Sequence, residues 1–255
     1  MQICPREAIE VTLTPRTEGE EAKTPTVTIN KEKCIYCGIC EAICPFAAVT
    51  TRIDREHVVP VVKSESFPKL VREITVDETK CGLECTEIEE ACPLDLIKVN
   101  VGTNDDKVTV EIDKDSCPCC RVCVTKFPEG TISVKQMLEG NLRIDNEKCP
   151  EGCHDCLDVC PISSVIYLTE DGKVHVNETN CVYCGTCRIV CPEEEALELT
   201  RTRFNHTDVH SGAWNKALEK LASTKAMTKE LKTKSGKRLA QNIEKRCITE
   251  VEDYA

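Results

Sequence analysis

Two runs of the form C-x2-C-x2-C-x3-C-P constrain this chain more than any other feature: Cys34, Cys37, Cys40 and Cys44 before Pro45, and Cys181, Cys184, Cys187 and Cys191 before Pro192. Three cysteines at this spacing fit one tight loop and can hold three irons of a cubane, while the fourth, turned aside at the proline, points toward a second cluster. A Cys-Pro corner, or its remnant, closes a cysteine group six times, at Cys4, Cys44, Cys92, Phe127, Cys160 and Cys191. Zinc is the structural competitor, but zinc sites draw on two well-separated pairs. Three thiolates in register with a fourth further along do not suit one tetrahedral ion. A disulfide framework is disfavoured because 21 cysteines is an odd count and the segment Met1 to Pro5 lacks the basic and apolar stretches of a secretion signal.

The clusters belong to a repeat. An apolar residue, then Asn or Asp, then three residues precede the first cysteine each time: Ile29-Asn30 before Cys34, Val76-Asp77 before Cys81, Ile112-Asp113 before Cys117, Ile144-Asp145 before Cys149, and Val176-Asn177 before Cys181. Alternating apolar positions such as Val27 and Ile29, or Val174 and Val176, predict short strands leading into each cysteine loop. After each Cys-Pro, segments such as 46–49, 94–97 and 162–165 predict one helical turn started by the proline, followed by a return strand.

Each copy is half of a two-cluster unit, in which the fourth cysteine of one half serves the cluster of the other. In the last pair of copies, Cys149, Cys153 and Cys156 join Cys191, while Cys181, Cys184 and Cys187 join Cys160. Three residues instead of two separate Cys149 from Cys153, an irregularity that Gly152 can absorb. In the first, Cys34, Cys37 and Cys40 join Cys4, and Cys44 points at a cluster needing upstream ligands; a missing upstream segment is expected. In the middle, Cys117, Cys120 and Cys123 join Cys92. The opposing site keeps Cys81 and Cys85 but has Ile88 and Phe127 in place of its other two cysteines. Either Phe127 packs a vacant site, or Cys81 and Cys85, with Cys119 and the oxygens of Glu84 or Glu87, hold an unusual cluster.

The expected class is α+β: tandem bacterial-type two-cluster modules at 1–63 (its N-terminal half truncated), 64–136 (one degenerate site) and 137–200 (complete), then a basic helical tail at 201–255. At least four 4Fe–4S clusters are expected. With four Phe, four Tyr and one Trp in 255 residues, modules this small need the clusters as staples. Residues 1–200 carry 21 Lys and Arg against 37 Asp and Glu, and 201–255 carry 12 against 7. An acidic body argues against nucleic acid as a partner. No apolar run approaches the roughly 18 residues of a membrane span, and a cytoplasmic protein is expected.

Nothing catalytic emerges: there is no Gly-rich phosphate loop, no H-E-x-x-H, and no nucleophile with a base nearby in sequence. His154 reads as a solvent-facing loop residue; His57, His175, His206 and His210 show no pairing, and Cys247 reads as a free thiol. In the tail, Trp214, Leu218, Leu221 and Ala222 fall at helical spacing with Lys216, Lys220 and Lys225 on other faces, and Gly236 interrupts. That stripe must dock, on the body or on another subunit.

The chain resembles archaeal polyferredoxins. The segments CIYCGICEAICPF (34–46), VKQMLEGNLRID (134–145) and CPEGCHDCLDVCP (149–161) are similar to the polyferredoxin component of tungsten or molybdenum formylmethanofuran dehydrogenase. That component usually has four modules where this chain shows two and a half. The resemblance implies a non-catalytic electron bridge in methanogenesis or its reversal, joining the dehydrogenase core, a small ferredoxin subunit and heterodisulfide reductase. The alternatives are the polyferredoxin of a hydrogenase or heterodisulfide reductase system, and a freely diffusing ferredoxin-type carrier.

Overall fold

An asparagine or aspartate begins each turn into a cysteine loop for a local reason. In this computed structural model, which describes residues 3–14, 21–102, 108–193, 195–209, 211, 212 and 214, all five copies form the same turn. The side-chain oxygen accepts from an amide two residues on: Asn30 from Glu32 (3.1 Å), Asp77 from Thr79 (3.2 Å), Asp113 from Asp115 (3.1 Å), Asp145 from Glu147 (3.1 Å) and Asn177 from Thr179 (3.1 Å). These short polar side chains substitute for a backbone turn. The backbone N–H of each then donates across the sheet, to the carbonyls of Ala8, Thr131, Leu96, Ala196 and Val165 respectively. The repeat therefore sets where a strand stops and a cysteine loop starts.

Twelve short strands result: β1 (Ile9–Thr12), β2 (Thr26–Ile29), β3 (Arg52–Ile53), β4 (Glu56–His57), β5 (Glu73–Val76), β6 (Ile97–Val101), β7 (Val108–Ile112), β8 (Ile132–Lys135), β9 (Leu138–Ile144), β10 (Ile166–Leu168), β11 (Val174–Val176) and β12 (Leu197–Phe204). They pair antiparallel as six two-stranded sheets, among the described residues: β1 with β2, β3 with β4, β5 with β8, β6 with β7, β9 with β12, and β10 with β11. Pairs β6–β7 and β10–β11 are inner pairs, nested between the outer pairs β5–β8 and β9–β12. The β1–β2 pair has the register of an inner pair, Ile9 opposite Ile29, and leaves Val27 51 % exposed.

Among the described residues the α-helices are about one turn each: α1 (Ile39–Ala42), α2 (Pro60–Lys63), α3 (Asp155–Asp158) and α4 (Thr186–Val190). Their position corrects one expectation. The helical turn lies between the third and fourth cysteines or just before them, as in α1, α3 and α4, and not after the Cys-Pro pair. Gly38 and Gly185, with φ of 82° and 87°, start α1 and α4. After the proline the chain makes a tight corner instead.

One continuous apolar core runs from Leu70 to Leu199, including Ile74, Phe127, Val134, Met137, Leu142, Ile162 and Val165. The two nested units thus share an interior instead of hanging as separate beads. A second, smaller core gathers Ala42, Phe67 and Trp214 with Ile39, Ile43, Val59, Val61 and Val62. Trp214 is 3 % exposed; its ring meets Phe67 edge-on at 5.1 Å and His206 at 4.8 Å, so at this residue the tail docks on the body. The rest of the expected helical tail, with Leu218, Leu221, Ala222, Gly236 and Cys247, lies outside the described residues. No helix among the described residues is long and apolar enough to cross a membrane.

Candidate metal centres

The loop after each Asx turn lays its cysteines around a hollow, and the fourth thiol arrives from the other half of the repeat. Cys181, Cys184 and Cys187 share a narrow cavity of about 20 Å³ with Cys160, walled by Leu142, Ile162, Val165, Ile166 and Leu199. Cys117, Cys120 and Cys123 surround an equally narrow cavity with Cys92. Cys34, Cys37 and Cys40 open on a cavity of about 300 Å³ with Cys4. In the fourth set, Cys156 lies within electrostatic reach of Cys149, Cys153 and Cys191. Three of the expected crossed sets thus each line one cavity, and in the fourth the thiols of Cys149, Cys153 and Cys191 are near Cys156.

At Cys4, Cys44 and Cys92 the corner is the same. The amide three residues on (Glu7, Ala47, Asp95) donates to the cysteine carbonyl at 3.2, 3.4 and 3.2 Å. That residue takes a positive φ of 53°, 50° or 52°, and the next amide donates to the cysteine sulfur: Ala8 to Cys4 (3.3 Å), Ala48 to Cys44 (3.4 Å) and Leu96 to Cys92 (3.4 Å). Cys44 is buried in this corner yet lines none of the three cavities. Within the loops, Cys119 N–H donates to the Cys117 sulfur and Tyr183 N–H to the Cys181 sulfur, both at 3.4 Å. Amides aimed at sulfur stabilise thiolate charge, as cluster ligation requires.

Burial works in the opposite sense on the free thiols. It pushes Cys123, Cys156 and Cys181 up to about 12 and raises Cys187 further, with neighbouring thiolates adding to the shift. Cys117 is lowered to about 7, chiefly because the Cys119 thiol hydrogen-bonds to it. Thiolates packed this closely in apolar surroundings need cationic metal to be stable together. Among the described residues no three His, Cys, Asp or Glu side chains converge on a single-ion site; ligands around a body of four irons and four sulfides stand further apart.

Of the two readings of the degenerate site, the side chains take the arrangement in which Phe127 packs it and not that of an unusual cluster on Cys81, Cys85 and Cys119. Cys81 and Cys85 are joined by a disulfide, which removes both as thiolates. Cys119 is buried in the neighbouring loop, its thiol directed at Cys117. Glu84 folds back to accept from Gly82 N–H at 3.2 Å. Phe127 is 4 % exposed and Cys85 fully buried, with Ile88 packed against the same core. Apolar side chains fill the position that cysteines vacated.

The extra residue between Cys149 and Cys153 is absorbed where expected. Gly152 takes φ 69° and a Cβ there would meet nothing within 4 Å, while the Cys153 amide closes a turn on the Pro150 carbonyl at 3.0 Å. His154 is half-buried and its Nδ1 lies 3.0 Å from Asp158 Oδ1. Three histidines that show no pairing in the sequence have neighbours in the fold: His57 pairs with Glu41, His175 stacks on Tyr167 at 6.0 Å, and His206 meets Trp214. His210 lies outside the described residues.

Two arginines escaped the spacing pattern altogether. Arg72 Nε donates to the Cys117 carbonyl (2.9 Å) while its Nη2 reaches the Pro45 carbonyl (3.3 Å), tying the Cys44 corner to the middle cysteine loop. Arg201 Nε donates to the Tyr183 carbonyl (2.7 Å) and its Nη2 to the Cys184 carbonyl (3.0 Å). A sequence signal existed for the second: Gly140, isolated inside a strand pattern, marks a bulge or close backbone approach.

Comparison with known proteins agrees with this geometry. Residues 27–50 match the 4Fe-4S binding domain and residues 141–192 the 4Fe-4S dicluster domain. A ferredoxin of Methanothermococcus thermolithotrophicus is 39 % identical over 64 residues, covering 25 % of this chain and 98 % of the relative. The chain belongs to the ferredoxin family. This ferredoxin therefore carries multiple 4Fe–4S clusters, and the cysteine sets described above have the donors such clusters need. It is also 29 % identical over 98 residues to the polyferredoxin-like subunit of an aliphatic sulfonate oxidoreductase of Pyrococcus furiosus, covering 34 % of this chain and 56 % of that subunit. The chain spans about half the length of the first curated relatives it matches. Among solved structures, it is similar to a chain of the formate dehydrogenase–heterodisulfide reductase–formylmethanofuran dehydrogenase complex of Methanospirillum hungatei. That match has a TM-score of 0.73 and 28 % identity, covering 86 % of this ferredoxin and 79 % of that chain.

Proposed function

We propose that this ferredoxin is a non-catalytic, cytoplasmic polyferredoxin subunit that relays single electrons within a large redox assembly of the formylmethanofuran dehydrogenase type. Four sites carry the relay: Cys4 with Cys34, Cys37 and Cys40; Cys92 with Cys117, Cys120 and Cys123; Cys149, Cys153 and Cys156 with Cys191; and Cys160 with Cys181, Cys184 and Cys187. The units are 1–63, 64–136 and 137–200, followed by the tail at 201–255. A bound 4Fe–4S cluster takes up and gives back one electron; the protein's part is to fix each site against its neighbour. The shared core from Leu70 to Leu199 supports this most directly, because it packs cysteines of three of the four sites into one apolar body. Arg72 ties the Cys44 corner to that body, and the Ala22 amide donates to Asp158 Oδ2 at 2.8 Å, fastening the first unit to the last.

Similarity to a chain of the Methanospirillum hungatei assembly over most of both lengths supports the dehydrogenase core, a small ferredoxin subunit and heterodisulfide reductase as partners, and the role of that dehydrogenase's polyferredoxin component. A hydrogenase-linked polyferredoxin is the second reading, supported by 32 % identity over 88 residues to formate hydrogenlyase subunit 2 of Escherichia coli. Affinity purification of the tagged protein from its native cells separates them. Pterin-containing subunits in the eluate support the first, nickel–iron subunits the second, and a lone small monomer contradicts both. Iron and acid-labile sulfide of about 16 each per chain are expected for four cubanes.

A further inference from the structure

The outer strands β9 and β12 pair regularly from Leu197 opposite Ile144 to Arg201 opposite Gly140, then slip: Arg203, not Thr202, is opposite Glu139. The extra Thr202 is a β-bulge, a device that re-aims a side chain. Residues two apart normally share partners on one face of a strand. Here Arg203 stays with Glu139 at 3.4 Å, while Arg201 goes to the carbonyls of Tyr183 and Cys184 in the loop of the last cysteine motif. Two glycines permit this. A Cβ at Gly140 would stand 2.0 Å from the Thr200 carbonyl, and one at Gly185 would stand 3.0 Å from Arg201 Nη2.

Resting on the electron-relay function above, we propose that Arg201 is a positioning residue that sets the reduction potential of the Cys160, Cys181, Cys184 and Cys187 site and of no other site. Accepting one electron adds negative charge, which the apolar wall of Leu142, Ile162, Val165, Ile166 and Leu199 opposes by excluding water. A guanidinium fixed on the Tyr183 and Cys184 carbonyls of the loop that lines this cavity offsets that penalty and favours the reduced state. Guanidinium suits the task because it stays charged and its planar fork spans two carbonyls at once.

The opposite end of the same unit is charged differently. Asp145, in the turn before Cys149, adds a negative charge beside that cysteine, with Lys148 Nζ 3.9 Å from its carboxylate; the equivalent turn before Cys181 has the neutral Asn177. Glu178 also lies near Cys181, its charged carboxylate accepting the Leu142 amide. One unit therefore holds two sites of unlike electrostatic setting. A single electron passing between them leaves one site and enters the other, with no bond made or broken.

The test is a potentiometric titration of the full, cluster-loaded chain, reduced stepwise with dithionite and mediators and followed by electron paramagnetic resonance. Arg201→Gln should lower one midpoint by about 59 mV or more, a tenfold change in the reduced-to-oxidised ratio for one electron, and leave the others in place. Arg201→Lys, which keeps the charge, should restore most of that shift. Unchanged midpoints in Arg201→Gln at full iron and sulfide content overturn the proposal, as do equal shifts in the Gln and Lys variants, which mark a merely structural role. If Arg201→Gln loses iron, Asn177→Asp decides: it keeps the turn and should lower the same midpoint, and no shift overturns the proposal. Wild-type protein without cubane iron and sulfide fails the relay itself, a result separable from any effect of Arg201.

Discussion

The units at 73–135 and 138–204 share one plan, an outer strand pair enclosing an inner pair, yet only the second keeps eight cysteines in crossed sets. In the first, the site opposite Cys92 has lost two ligands to Ile88 and Phe127, and its remaining pair is a disulfide. The order of strand pairing and the Asx turns are nevertheless the same. A nested unit of this kind tolerates loss of a site when apolar volume fills the space, because the sheet pairs and the core do not depend on which of the two occupies it. The cost appears elsewhere: one half of the unit becomes packing.

The sharpest way to break this comparison is to replace one crossed ligand. Cys160→Ser should drop iron from about 16 toward about 12 per chain, with loss at the Cys181, Cys184 and Cys187 site. Cys81→Ser with Cys85→Ser should leave iron unchanged. Loss of iron in the double variant, or loss only at the Cys149 site in the single one, contradicts the crossed assignment. Iron analysis with electron paramagnetic resonance reads both. Next in size, Phe127→Ala removes the filling of the degenerate site and should destabilise the chain by about 3–5 kcal/mol. Denaturant unfolding at constant iron content measures it, and a loss below about 1 kcal/mol would mean that the ring is not what supports that half. The smallest effect concerns the irregular spacing of the complete unit. Gly152→Ala places a side chain at φ 69° and should cost about 1–2 kcal/mol, seen as a lower midpoint in the same unfolding experiment with cluster absorbance retained.

Much of the site was legible from spacing because the relevant interactions are local. An Asx turn, a cysteine loop and a Cys-Pro corner each span only a few consecutive residues, so each appears as a short recurring pattern. The helical turn was misplaced because a proline after cysteine suits both a helix start and a tight corner. What separates them is the positive φ of Glu7, Ala47 and Asp95, residues with no common side-chain character. Histidine partners such as Glu41 and Trp214 were hidden for another reason: His57 is 16 residues from Glu41, and the Trp214 contact needs the 61–70 segment folded beneath it.

By itself, the order of residues determined the class of cofactor and the missing cysteines of the site beside Phe127, since both follow from ligand count at fixed loop geometry. Only the folded chain decided that the last two units have one interior, that Trp214 closes a second core, and that Arg201 lies over the Cys184 loop. Those depend on antiparallel registers between distant residues, such as Arg203 and Glu139, 64 positions apart. One extra residue at Thr202 redirects a side chain there, and no local pattern encodes such a register.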